Sequence, residues 1–168
     1  GAPVNSNWTS NAINATGQYQ VATIANSVIY TSRTYGSTWN SVNTVGNAKW
    51  TSSAISTTGQ YQVVCASGGN IWLSNNFGSS WSQVTGLANQ ASPSLAWNAI
   101  AITSNGQYIL AAVYNSYIYY SNNYGQTWYQ SSSDTLPWSS ISISSTGQFA
   151  NATSNTGTVY NMTLGFPG

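Results

Sequence analysis

Four tryptophans divide this chain into copies of one unit. Trp8, Trp50, Trp97 and Trp138 open similar segments at intervals of 42, 47 and 41 residues. Five residues after each stands an isoleucine: Ile13, Ile55, Ile102 and Ile143. Nine after each stands a glycine (Gly17, Gly59, Gly106, Gly147), which begins Gly-Gln-Tyr or, in the last copy, Gly-Gln-Phe. Twelve residues beyond each glycine comes an aliphatic (Ile29, Ile71, Ile118, Val159), followed at once by an aromatic (Tyr30, Trp72, Tyr119, Tyr160). Offsets held over four copies mark an internal repeat, and a period of 40–45 residues is a strong constraint on architecture.

Within one copy the local signals are strands and tight turns. Trp50 to Ser56, Tyr61 to Ala66, Ile71 to Ser74 and Ser80 to Val84 are β-rich runs, separated by Thr-Thr-Gly, Ser-Gly-Gly-Asn and Asn-Asn-Phe-Gly. Short strands at such spacing, punctuated by Gly, Asn and Ser, predict an all-β fold without helices. Four strands in about 42 residues is the size of a propeller blade. The expectation is a small β-propeller in one domain, residues 1–168, with repeats at 8–49, 50–96, 97–137 and 138–168.

Charge narrows the function. Among 168 residues the fixed charges are Arg33, Lys49 and Asp134, and histidine and glutamate are absent. Two cations cannot displace enough phosphate counterions for nucleic-acid binding. A lone carboxylate leaves general acid–base catalysis without partners. Cys65 and Asp134 are too few to hold zinc. The reading is therefore a non-enzyme with no cofactor. No apolar run approaches the ~18 residues of a membrane span, so insertion into a membrane is not expected. Cys65 lies in the apolar run Val63-Val64-Cys65-Ala66, where a thiol serves as a small hydrophobe. A start at Gly-Ala-Pro is what a processed or truncated terminus would give.

The turn between the third and fourth strands repeats in three copies: Ser32-Arg-Thr34-Tyr-Gly36-Ser-Thr-Trp39, Ser74-Asn-Asn76-Phe-Gly78-Ser-Ser-Trp81 and Ser121-Asn-Asn123-Tyr-Gly125-Gln-Thr-Trp128. It resembles the Asp-box, Ser-x-Asp-x-Gly-x-x-Trp, of sialidases, sortilin-type receptors and photosystem-assembly propellers. The acid is replaced by Thr34, Asn76 and Asn123. In that family the box is a peripheral folding device, so the resemblance implies a propeller and no catalytic set. Asn retains the turn-capping hydrogen bonds, glycine supplies positive φ, and the tryptophan packs beneath the turn.

The fourth copy departs from the pattern after Tyr160: Met162, Leu164 and Phe166 stand where Ser, Asn or Thr, and Gly are expected. Its outer strand is thus missing, and an open strand edge invites pairing. Either Ala2, Pro3, Val4 and Asn5 close the edge beside Val159, Tyr160, Asn161 and Met162 within one chain, or the same residues pair between copies, or Pro167 and the terminus blunt the edge. Scarce Lys and Glu leave few guards against association. The leading expectation is an extracellular or surface-exposed structural protein that assembles with itself, a filament or coat subunit. The alternative is a carbohydrate-binding module in which Tyr35, Phe77 and Tyr124 stack on glycans. A third is a segment of a longer propeller. Sequons at Asn7, Asn14, Asn151 and Asn161 are candidate glycosylation sites, no more frequent than chance allows.

Overall fold

The structure, a computed structural model, describes residues 2–85, 87 and 94–164. Its strands fall into four successive antiparallel groups. The first repeat contains β1 (Trp8–Ile13), β2 (Gln20–Ser27), β3 (Ile29–Ser32) and β4 (Asn40–Val42). The second contains β5 (Ala48–Ile55), β6 (Gln62–Gly69), β7 (Ile71–Ser74) and β8 (Ser82–Gln83). The third contains β9 (Leu95–Ile102), β10 (Ile109–Ser116), β11 (Ile118–Ser121) and β12 (Tyr129–Gln130). The fourth contains β13 (Leu136–Ile143), β14 (Phe149–Ser154) and β15 (Val159–Thr163). Among the described residues one 3₁₀ turn, Asn43–Val45, interrupts the strands, and the strand-and-turn pattern did not anticipate it.

Each repeat is a meander, β1-β2-β3-β4 in the first. Adjacent repeats are stitched by a short antiparallel pairing between the end of one second strand and the start of the next first strand. Ala25 and Ser27 of β2 face Lys49 and Ala48 of β5. Ser67 and Gly69 of β6 face Ala96 and Leu95 of β9. Tyr114 and Ser116 of β10 face Pro137 and Leu136 of β13.

Three apolar cores lie at the three junctions. Val21, Ile29, Val45, Trp50, Val64, Ala66 and Trp81 fill the first. Trp97 and Trp128 anchor the second, with Val63, Cys65, Ile71 and Ile109. Trp138 anchors the third, with Leu110, Ala112, Ile118 and Ile141. The period-2 alternation of each strand therefore serves two cores at once. Val63 and Cys65 point to the following repeat, while Val64 and Ala66 point to the preceding one. This is why both faces read as apolar in the sequence.

β1 packs on β5, β5 on β9 and β9 on β13, but no such packing joins β1 to β13, β14 or β15. The four repeats form an open arc. Residues 2–7 do not close it: they form no strand, Asn5 adopts φ 56°, and β15 pairs with β14 alone among the described residues. Asn7 instead accepts a 2.9 Å hydrogen bond from the Ala25 amide in its own repeat. Of the arrangements open to the fourth repeat, closure by its own N-terminal segment is thus not the one adopted. Phe166 and Pro167 lie outside the described residues.

Candidate functional site

The three repeated turns are built alike. The Ser32, Ser74 and Ser121 hydroxyls accept hydrogen bonds from the Gly36, Gly78 and Gly125 amides at 3.0, 2.9 and 2.9 Å. Asn76 Oδ1 accepts from the Ser80 amide at 3.0 Å, and its Nδ2 donates to Ser80 Oγ at 2.8 Å. Asn123 does the same with Thr127, at 2.9 Å in both bonds. In the first repeat Thr34 Oγ1 accepts from the Thr38 amide at 2.9 Å. In each turn a neutral oxygen thus receives the amide four residues further on. The glycines sit at φ 79°, 74° and 80°, and the aromatics before them, Tyr35, Phe77 and Tyr124, at φ 57°, 62° and 60°. Two consecutive left-handed residues explain the invariable glycine, since only it enters that region without cost. Arg33 donates to the Phe77 and Asn76 carbonyls at 3.0 and 3.2 Å, tying the first turn to the second.

The aromatics that the sequence presents as two sets form one joint. Tyr19 of the first repeat packs at a tilt against Phe77 of the second at 4.8 Å between centroids, and Tyr61 of the second stacks on Tyr124 of the third at 4.9 Å. Each tyrosine ring also lies over the next repeat's Gly-Gln glycine. A Cβ built on Gly59 would stand 2.6 Å from Tyr19 Cδ2, one on Gly106 2.4 Å from Tyr61, and one on Gly147 2.5 Å from Tyr108. Phe77 and Tyr124 are thereby half covered by neighbours, whereas Tyr35 is 65% exposed. Sequence alone lacked the signal for this pairing, because its partners lie about 60 residues apart in different motifs.

The two ends of the arc expose what the junctions bury. Trp50, Trp97 and Trp138 are 1%, 0% and 0% exposed, but the equivalent Trp8 is 39% exposed. Trp81 and Trp128 are buried, while Trp39 is only half-buried and lines an open groove with Trp8, Ala12 and Ile13. At the other end Phe149 and Val159 are exposed, beside Asn151 and Asn161.

Of the sequon asparagines, Asn7, Asn151 and Asn161 are exposed. Asn14 is buried: its Oδ1 accepts from the Tyr19 amide at 2.9 Å and its Nδ2 donates to Thr16 Oγ1 at 3.0 Å. Cys65 is fully buried, and burial pushes its thiol from an ordinary 9.0 up to about 12, against lowering contributions from Thr51 and Ser52.

No family model matches the chain, and no curated protein matches it either. Solved structures do. A computationally designed protein, Ika4, superposes with a TM-score of 0.74 at 12% identity, over 97% of this chain and 94% of its own. The β-propeller domain of Myceliophteria thermophila Cps50 (Swd1) superposes with a TM-score of 0.68 at 13% identity, over 94% of this chain and 54% of its own. The fold is that of a β-propeller. The propeller likeness extends to an enzyme, Niastella koreensis GH74, with a TM-score of 0.69 at 18% identity, over 93% of this chain and 23% of that one. One of these neighbours is thus an enzyme, and this chain spans about half of the Cps50 domain and a quarter of the enzyme.

Proposed function

We propose that the chain is a non-catalytic, extracellular structural module that associates with itself through the open ends of its arc. The observation that carries this reading is the exposure of Trp8 and Trp39, whose counterparts are buried at every internal junction where they are described. An aromatic face left uncovered on a chain with three fixed charges favours association, because apolar area drives it and little repulsion opposes it. The three neutral turns fit an Asp-box whose acid has been replaced by Asn or Thr, serving as a scaffold. Extracellular placement fits a chain with one cysteine, Cys65, whose thiol is fully buried. Light scattering of the native protein tests the reading: a mass above the 17.8 kDa of one chain is expected, and a single-chain mass at every concentration would overturn it.

Carbohydrate binding is supported by Tyr35 alone, since Phe77 and Tyr124 give one ring face to a neighbouring tyrosine. A glycan array on which Tyr35→Ala abolishes a signal would favour that function.

A further inference from the structure

Resting on the self-association just proposed, we infer its geometry: a second copy docks head to tail, the fourth repeat of one copy serving as the preceding repeat for the first repeat of the other, and two copies close the ring. Most of what is missing at the start of the arc is present at its end.

The ring-over-glycine joint shows this best. Gly59, Gly106 and Gly147 are buried beneath the tyrosine of the repeat before them, whereas nothing from an earlier repeat lies within 4 Å of a Cβ built on Gly17. Phe149, the Gly-Gln aromatic of the last repeat, is 61% exposed with no following glycine to cover. Laid over Gly17, it would pack against Tyr35 as Tyr19 packs against Phe77.

Strand lengths agree. The first strands β5, β9 and β13 have eight residues and β1 has six, lacking the two that pair with a preceding repeat. The second strands β2, β6 and β10 have eight and β14 six, lacking the two that pair with a following one. Ser6 and Asn7 of one copy therefore stand where they can pair with Asn155 and Gly157 of the other.

Hydrogen bonding runs in the same direction. The Ala15 amide donates to the Thr57 carbonyl at 3.2 Å, Thr57 to Ser104 at 2.9 Å, and Ser104 to Ser145 at 3.1 Å. Ser145, exposed at the end of this ladder, is positioned to donate to Ala15 of the next copy. Ser10 and Ser52 accept from the Ser53 and Ile100 amides of the following repeat at 3.0 and 3.2 Å, and Ser140 occupies their position in the fourth. The Ser139–Thr153 hydroxyl pair of the fourth repeat copies the Thr9–Thr23 pair of the first. Two features depart: Asn151 stands where Val21, Val63 and Leu110 face the next repeat, and among the described residues no outer strand follows β15 to supply counterparts of Val42 and Val84, so this joint is wetter than the internal ones. The count of two rests on length, since this chain superposes on 54% of the Cps50 (Swd1) β-propeller domain and two chains would supply about one such ring.

Mixing two blocked variants tests the geometry. Phe149→Asp blocks the end and Tyr35→Asp the start; both side chains are exposed, and Asp tolerates the left-handed backbone at 35. Wild type is expected at twice the single-chain mass. Each variant is expected to weaken association by about thirtyfold or more per joint. Their equimolar mixture is expected to recover a one-joint pair, because each supplies the intact half the other lacks. Near-ultraviolet circular dichroism unchanged from wild type establishes that the variants fold, and Asn151→Val is expected to tighten association independently of them. A wild type that associates while both variants do so equally well overturns the joint but leaves self-association standing. A wild type at single-chain mass overturns both. Species larger than two copies overturn ring closure, and a Phe149→Asp variant that pairs start to start overturns the head-to-tail direction.

Discussion

At positions 34, 76 and 123 a hydroxyl or amide oxygen receives a backbone amide from four residues further on. The interaction needs an acceptor and no charge. Asn123→Ala removes the bonds to the Thr127 amide and hydroxyl and should lower stability by about 1–2 kcal/mol, whereas Asn123→Asp should stay within about 0.5 kcal/mol, both read from urea unfolding. The serine and glycine partners were legible from the motif. The left-handed Tyr35, Phe77 and Tyr124 were not, because positive φ is seldom predicted for a bulky residue. Cys65 makes a second residue-scale prediction. Its thiol stays protonated in the fold to about 12, while in the unfolded chain it ionises near 9.0. The unfolded state therefore binds fewer protons between these values, and stability falls as pH rises through that window. The Cys65→Ala variant should lose that alkaline decline, and native wild type should resist a thiol reagent at pH 8 until it is unfolded.

At the scale of elements, periodicity announced the strands well and their lengths poorly. The run Ile71 to Ser74 coincides with β7, and the four groups follow the tryptophan spacing. The run Ser80 to Val84 shrinks to Ser82–Gln83, since that outer strand has one neighbour. The two-residue extensions of the inner strands were invisible in the sequence, being set by pairing between repeats rather than by local propensity. The Gly-Gln glycines test how far one repeat depends on the next. All adopt positive φ, so alanine strains each by about 1–2 kcal/mol. Gly106→Ala adds a collision with the Tyr61 ring, expected to cost about 1–3 kcal/mol more. In dilute protein Gly17→Ala should therefore be the milder of the two, as measured by thermal unfolding.

For the whole molecule, what matters is an arc with unlike ends. The repeat was legible early; the openness of the ring was not, because it depends on how much each junction turns the chain. Asn151 and Asn161 are direct cross-strand partners on the terminal face. A glycan on either would stand where the second copy must sit, so a glycosylated preparation should remain single-chain until the sugar is removed, a change that light scattering follows. Three charges also make association insensitive to salt: its strength should change less than about threefold between 50 and 500 mM sodium chloride. Trp8 gives the molecule an optical signal of its own. Its indole is wet in the isolated arc and would become dry once another copy covers it, so diluting the protein should redden and quench its emission, and a Trp8→Phe variant should lose most of that change.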